Sequence, residues 1–132
     1  MLRNLIICFI AGVLAACGVA DTKKVNDLNL VIDEYVAALR WARVDDAGRF
    51  HMNRDGSRPE LDTSAMDRIR VTGYKIKKKT LGENLEEAAV TAELDYYSTE
   101  HGTLKHMTLE QDWWYNEEAK RWYLESDFPT FE

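Results

Sequence analysis

The sequence predicts an α+β fold, with one long amphipathic helix and shorter helical pieces packed on a curved, mainly antiparallel four-stranded sheet. Two patterns carry that expectation. Apolar residues recur at helical spacing from Leu28 to Ala42, and from Ile69 onward a period of two replaces that spacing in four successive runs. Helices followed by a meander are satisfied when the apolar helix stripe covers one face of the sheet. A chain of 132 residues has room for one such core and no second.

Ahead of the helical stripe stands an apolar run. Arg3 and Asn4 make a short polar start, Leu5 to Val13 are apolar, and Leu14-Ala15-Ala16 leads into Cys17. That order reads as a secretory signal. The stretch from Leu5 to Ala16 is about a dozen residues, short of the roughly 20 that span a bilayer, so residues 1–16 are expected to be removed. The Leu14-Ala15-Ala16-Cys17 ending resembles the lipobox of bacterial lipoproteins. The resemblance implies that Cys17 is linked to diacylglycerol, becomes the first residue and is acylated on its amine. Gly18 follows in place of Asp, which by resemblance to sorting signals of enteric bacteria implies an outer-membrane anchor facing the periplasm. An ordinary cleaved signal and an uncleaved anchor are the alternatives. Residues 17–24 then form the acylated cysteine and a short tether, and residues 25–132 the single domain.

Composition narrows the partners. The formal charge is −6, and loss of Arg3 with the signal makes the remainder more acidic still, which disfavours nucleic acid. Cys8 falls in the removed segment and Cys17 carries lipid, so the domain has no thiol for a disulfide and must rest on its core. The 4 tryptophans and 6 tyrosines supply it.

In the helix, Leu28, Val31, Ile32, Tyr35, Val36, Leu39 and Ala42 form the stripe, with a start expected among Thr22 to Asn26 and an end near Arg43. Asp45 is placed to cap a short helix through Ala47 and Phe50, Asn53 to Pro59 is turn chemistry, and a further helical turn is expected between Glu60 and Arg68. Ile69, Val71 and Gly73 begin the first strand, with a bulge at Gly73 to bring Tyr74 and Ile76 into phase. After a turn at Leu81 to Asn84, Val90, Ala92, Leu94 and Tyr96 form one face of the second strand. Ser98 to Gly102 turn the chain. Met107, Leu109, Gln111, Trp113 and Tyr115 share the core face of the third strand, and Asn116 to Lys120 close a hairpin to Trp122 and Leu124.

Tyr35 to Trp41 ending the helix, Ile69-Arg70-Val71 opening the sheet, and the Trp113-Trp114-Tyr115 to Arg121-Trp122-Tyr123-Leu124 hairpin, with Pro129 and Phe131 beyond it, resemble small lipoproteins of the nuclear-transport-factor-2-like, or cystatin-like, group. The resemblance implies a conical sheet with a pocket between helix and sheet. In ketosteroid isomerases and polyketide cyclases of that shape the pocket uses carboxylate, Tyr or His. The residues here that reach such a pocket are Tyr35, His51, Gln111 and Tyr115, with Asp95 and Asp112 expected on the polar sheet faces instead. No Asp and Tyr pair stands out as the isomerase pattern requires.

Other features are expected at surfaces. His101 and His106, five apart and without cysteine or a further ligand motif, give no recognised metal spacing, and nothing in the chain marks a cofactor site. His51 is expected at a helix-end carbonyl or a pocket rim. Lys75, Lys77, Lys78 and Lys79 are the one basic patch, read first as lysines protecting a sheet edge and second as a contact for lipid phosphate or an acidic partner. Period-two alternation sends Trp114 outward, where with Tyr97 and Tyr123 it forms either a dimer or partner interface or a cross-strand aromatic pair. Trp41 is expected to plug one end of the core. The sequence thus points to a lipid-anchored envelope domain, non-enzymatic, binding a protein partner or small ligand. A small isomerase-, dehydratase- or hydrolase-like enzyme and a structural subunit of an envelope assembly are the alternatives.

Overall fold

The computed structural model describes residues 2–132, with side chains described at residue 18 and at 20–132. The elements run α1 (Leu2–Arg40), α2 (Val44–Gly48), β1 (Ile69–Leu81), β2 (Glu87–Ser98), β3 (Leu104–Asn116) and β4 (Arg121–Leu124). All strand pairs are antiparallel, and the sheet order β1-β2-β3-β4 is the expected meander. The α+β class and the four-stranded sheet therefore stand as the sequence predicts them.

Helix α1 is longer than its amphipathic part. Thr22 does not cap a new helix, because its hydroxyl donates backward to the Gly18 carbonyl at 3.0 Å within a helix already running. Residues 18–24, expected as a tether, continue that helix. Of its expected stripe Leu28, Val31, Ile32, Tyr35 and Leu39 are buried, each contributing roughly 1.5–3 kcal/mol, whereas Val36 and Ala42 are only partly buried and Ala38, outside the expected stripe, is buried in their place. The helix ends at Arg40 in a left-handed closure, with Ala42 at φ 53 and the Arg43 N–H donating to the Ala38 carbonyl at 2.9 Å.

That closure overturns two expectations. Trp41 is thrown outward and is 73% exposed rather than plugging the core. Arg43 takes the N-cap position of α2 without a side-chain bond, so Asp45 lies in the first turn and is not the cap. The helical turn expected between Glu60 and Arg68 is a succession of turns, begun by Asp62 accepting from the Ser64 N–H at 3.1 Å and continued by Met66 N–H to the Thr63 carbonyl.

In β1 the register breaks between Val71 and Gly73, leaving Thr72 as the extra residue beside the expected glycine. The freed Thr72 carbonyl accepts from Arg40 at 3.4 Å, which ties the end of α1 to the sheet. A second break, between Ile76 and Lys78, was not legible in the alternation. Past β4, residues 50–52 add a parallel bridge: the Leu124 N–H donates to the Phe50 carbonyl at 2.7 Å and the Met52 N–H to the Leu124 carbonyl at 3.1 Å. This short bridge carries His51 into the core.

The end of the sheet beside residues 22–26 of α1 is held by Lys24. Its ammonium reaches Glu117 at 2.9 Å and Glu86 at 3.4 Å, in the turns of the β3–β4 and β1–β2 hairpins, and its carbonyl accepts from the Trp122 indole at 2.9 Å. Both hairpins are thereby tied to one turn of α1.

Candidate functional site

The interior between α1 and the sheet is filled by side chains. Tyr35 and His51, both at 0% exposure, are joined by a 3.0 Å bond between the hydroxyl and Nε2. His51 Nδ1 lies 2.9 Å from the Ser126 carbonyl, which can only accept, so Nδ1 carries the proton and Nε2 accepts from Tyr35. The Tyr35 ring meets Phe50 and Trp113 edge-on at 5.6 and 5.9 Å, and Phe128 lies 5.6 Å from His51. His51 therefore sits at neither a helix-end carbonyl nor a rim, because the parallel bridge beside Leu124 draws it inside.

Gln111 joins the same polar line. Its Oε1 accepts from the Tyr74 hydroxyl at 3.1 Å and from the Trp113 indole at 3.3 Å. Tyr115 stands apart near the β3–β4 turn, between Trp122 and the Lys24 ammonium, which lies 4.8 Å from its ring. The structure thus brings Tyr35, His51 and, through Trp113, Gln111 together, and leaves Tyr115 elsewhere.

Burial sets the protonation of this interior. It pushes the Tyr35 hydroxyl far above the ordinary tyrosine range and Tyr74 up to about 12, the latter helped by the Asp33 charge. It pulls His51 below the ordinary histidine range, against the opposing pull of the Ser126 carbonyl and Asp127. The pair is a neutral phenol donating to a neutral imidazole, shut from solvent. Among the described residues every buried side-chain nitrogen and oxygen has a partner. A cavity of about 340 Å³ lies instead at the rim, where the β2–β3 turn meets the start of β1, with Ile69, Ala65 and Phe131 beside Arg68, His101 and Lys105.

The outer sheet face departs from expectation at Trp114. Alternation places it on that face, yet it is only 8% exposed. Its ring lies 5.6 Å from Tyr123, its indole donates to the Met52 carbonyl at 2.8 Å, and the loop through Asn53 and Arg58 covers the pair. Arg54 fastens the loop to Glu125 at 2.7 Å and to Glu87, while the Arg58 guanidinium lies over Tyr123 at 5.7 Å. Of the aromatic set, Tyr97 alone is half-open and sits away from the other two, opposite Leu104.

The lysines lie on edge strand β1 but do not share one face. Lys75 and Lys78 pair with Glu93 and Thr91 on the outer side, whereas the second register break turns Lys79 inward beside Val90, where it donates to Asn29 at 2.5 Å. Lys77 sits in the break and bridges to Glu93 at 3.1 Å.

One grouping is not signalled by spacing along the chain. Glu93, Asp95 and His106 offer ligand-type atoms that all lie within 4.8 Å of one another on the outer face. Glu93 and Asp95 are two apart on β2, and His106 is the direct partner of Asp95 on β3, with Nδ1 2.5 Å from Oδ1. Asp95 holds the His106 imidazole above the ordinary histidine range, chiefly through that hydrogen bond. The signal lies in the hairpin register rather than in histidine spacing, since only the turn closed by the Gly102 N–H on the Ser98 carbonyl decides which residue faces Asp95.

Cys17 and the segment 1–16 lie outside the residues whose side chains are described. Among the described residues, no helix is long and apolar enough to cross a membrane. Comparison of the chain with protein-family models, with curated proteins and with solved structures returns no match.

Proposed function

We propose that this chain is a lipid-anchored protein of the bacterial cell envelope, held at the periplasmic side of the outer membrane through Cys17. Its domain, in this reading, belongs to the nuclear-transport-factor-2-like, or cystatin-like, group and binds a protein partner or a small ligand without catalysing a reaction. The observation that carries the anchor is the order of residues from Arg3 to Cys17, a polar start, a short apolar run and small residues ahead of a cysteine.

The fold assignment draws on the order of elements, helix first and four-stranded meander after. The binding role draws on the fate of the interior polar groups. A general base must reach a substrate proton, and here both nitrogens of His51 and the Tyr35 hydroxyl are committed to one another and to Ser126. The rim cavity of about 340 Å³ offers a small ligand a place outside that sealed core.

The test is expression of the full chain in a bacterium, followed by fractionation and intact mass measurement. The expected product begins at Cys17, carries the mass of the acyl chains and stays with outer membranes. Cys17→Ser should retain the leader and carry no lipid mass. A native product with no lipid mass, or one that partitions like the Cys17→Ser variant, would remove the anchor reading.

A further inference from the structure

We propose that Glu93, Asp95 and His106 form a divalent transition-metal site, suited to zinc, on the outer face of the sheet. Two carboxylates and an imidazole are a zinc-type donor set, and with three protein donors the remaining coordination positions face solvent and take water. The backbone fixes the arrangement. A period of two puts Glu93 and Asp95 on one face, and antiparallel pairing sets His106 directly across from Asp95.

The donor atoms lie within 4.8 Å of one another. Two donors about 2.1 Å from a tetrahedral ion are roughly 3.4 Å apart, so side-chain rotation alone closes the site. All three side chains reach solvent, with Glu93 42%, Asp95 38% and His106 60% exposed, and the bonds they now make to one another and to Lys77 are the ones an ion replaces. On binding, the ion takes the place of the proton between Asp95 Oδ1 and His106 Nδ1, and that proton leaves to water.

An independent feature of β1 keeps the site open. Gly73 is the partner of Asp95 on the other side, so Gly73, Asp95 and His106 form one row across three strands. A Cβ at position 73 would lie 3.0 Å from Asp95 Oδ2. Gly73 has negative φ, so the position does not need glycine for its backbone conformation. What the missing side chain provides is room for the second carboxylate oxygen. Lys77 is the resident cation, 3.1 Å from Glu93, and competes with the metal for that carboxylate.

Zinc alone is the probe, titrated calorimetrically into the full chain in detergent after treatment with a chelator. Cys8→Ser and Cys17→Ser are present throughout so that thiols do not contribute. The expected result is one saturable equivalent that disappears in His106→Ala, an exposed position where folding is not at stake. Asp95→Asn is expected to weaken it severalfold, and Gly73→Ala, whose Cβ crowds Asp95 Oδ2 without removing it, to weaken it by a smaller factor. Lys77→Met should tighten it. Absence of saturable binding overturns the site, as does binding that survives His106→Ala or moves with His101→Ala.

Discussion

The Tyr35 hydroxyl donates to His51 Nε2 at 3.0 Å in the centre of the domain, and the other ring nitrogen of His51 donates to the Ser126 carbonyl. One imidazole thus joins α1, the bridge beside β4 and the carboxy-terminal segment. Removing one member strands the others, since a buried acceptor without a donor costs about 1–3 kcal/mol. Tyr35→Phe is expected to lower unfolding free energy by that amount in urea titration, with no change in the slope. A loss under about 0.5 kcal/mol would mean that Nε2 finds another donor.

The same histidine predicts acid sensitivity. Its folded-state pKa is lowered, chiefly by burial, while the unfolded chain titrates near the ordinary value of 6.5. Below that value the unfolded state binds the extra proton, so His51's contribution is whole above about pH 6.5 and declines as pH falls toward the folded pKa. Melting temperature should fall across that window, and the fall should be smaller in His51→Gln measured against its own neutral-pH value. Parallel pH profiles in the two proteins would assign the acid sensitivity elsewhere.

Trp113 and Trp114 face opposite sides of β3, yet both are closed off, one by α1 and one by the loop through Asn53 and Arg58. Trp113→Ala should cost about 3–5 kcal/mol, as large core deletions do. Trp114→Phe keeps a ring against Tyr123 and loses the bond to Met52, about 0.5–1.5 kcal/mol. Its distinguishing effect should be faster proteolysis between Asn53 and Arg58. Unchanged cleavage there would show that Arg54 alone holds the loop.

Lys120 closes the β3–β4 hairpin at φ 55, a conformation that favours glycine. Its ion pair to Glu117 at 3.2 Å is exposed and contributes little. Lys120→Gly is expected to stabilise the domain, read as a raised urea midpoint, because relief of left-handed strain of about 1–2 kcal/mol outweighs glycine's entropic cost of about 0.5–1 kcal/mol. A lowered midpoint would show that the Lys120 side chain matters more to the turn than its backbone strain.

Local periodicity determined the α+β class, the buried stripe from Leu28 to Leu39 and the inward faces of β2 and β3, because each is a repeat written within one segment. Residue type, in turn, placed the lysines on the edge strand and the turns around Asn53 and Gly102. Tertiary structure decided what depends on segments far apart in the chain. His51 is inside because residues 50–52 pair with Leu124, Trp114 is covered because a loop over sixty residues earlier folds back on it, and Trp41 is outside because Ala42 closes the helix in the left-handed region. The grouping of Glu93, Asp95 and His106 rests on register, where a shift of one residue would send His106 to the other face. Such contacts are set by which surfaces pack best together, and a segment's own repeat does not record its distant partner.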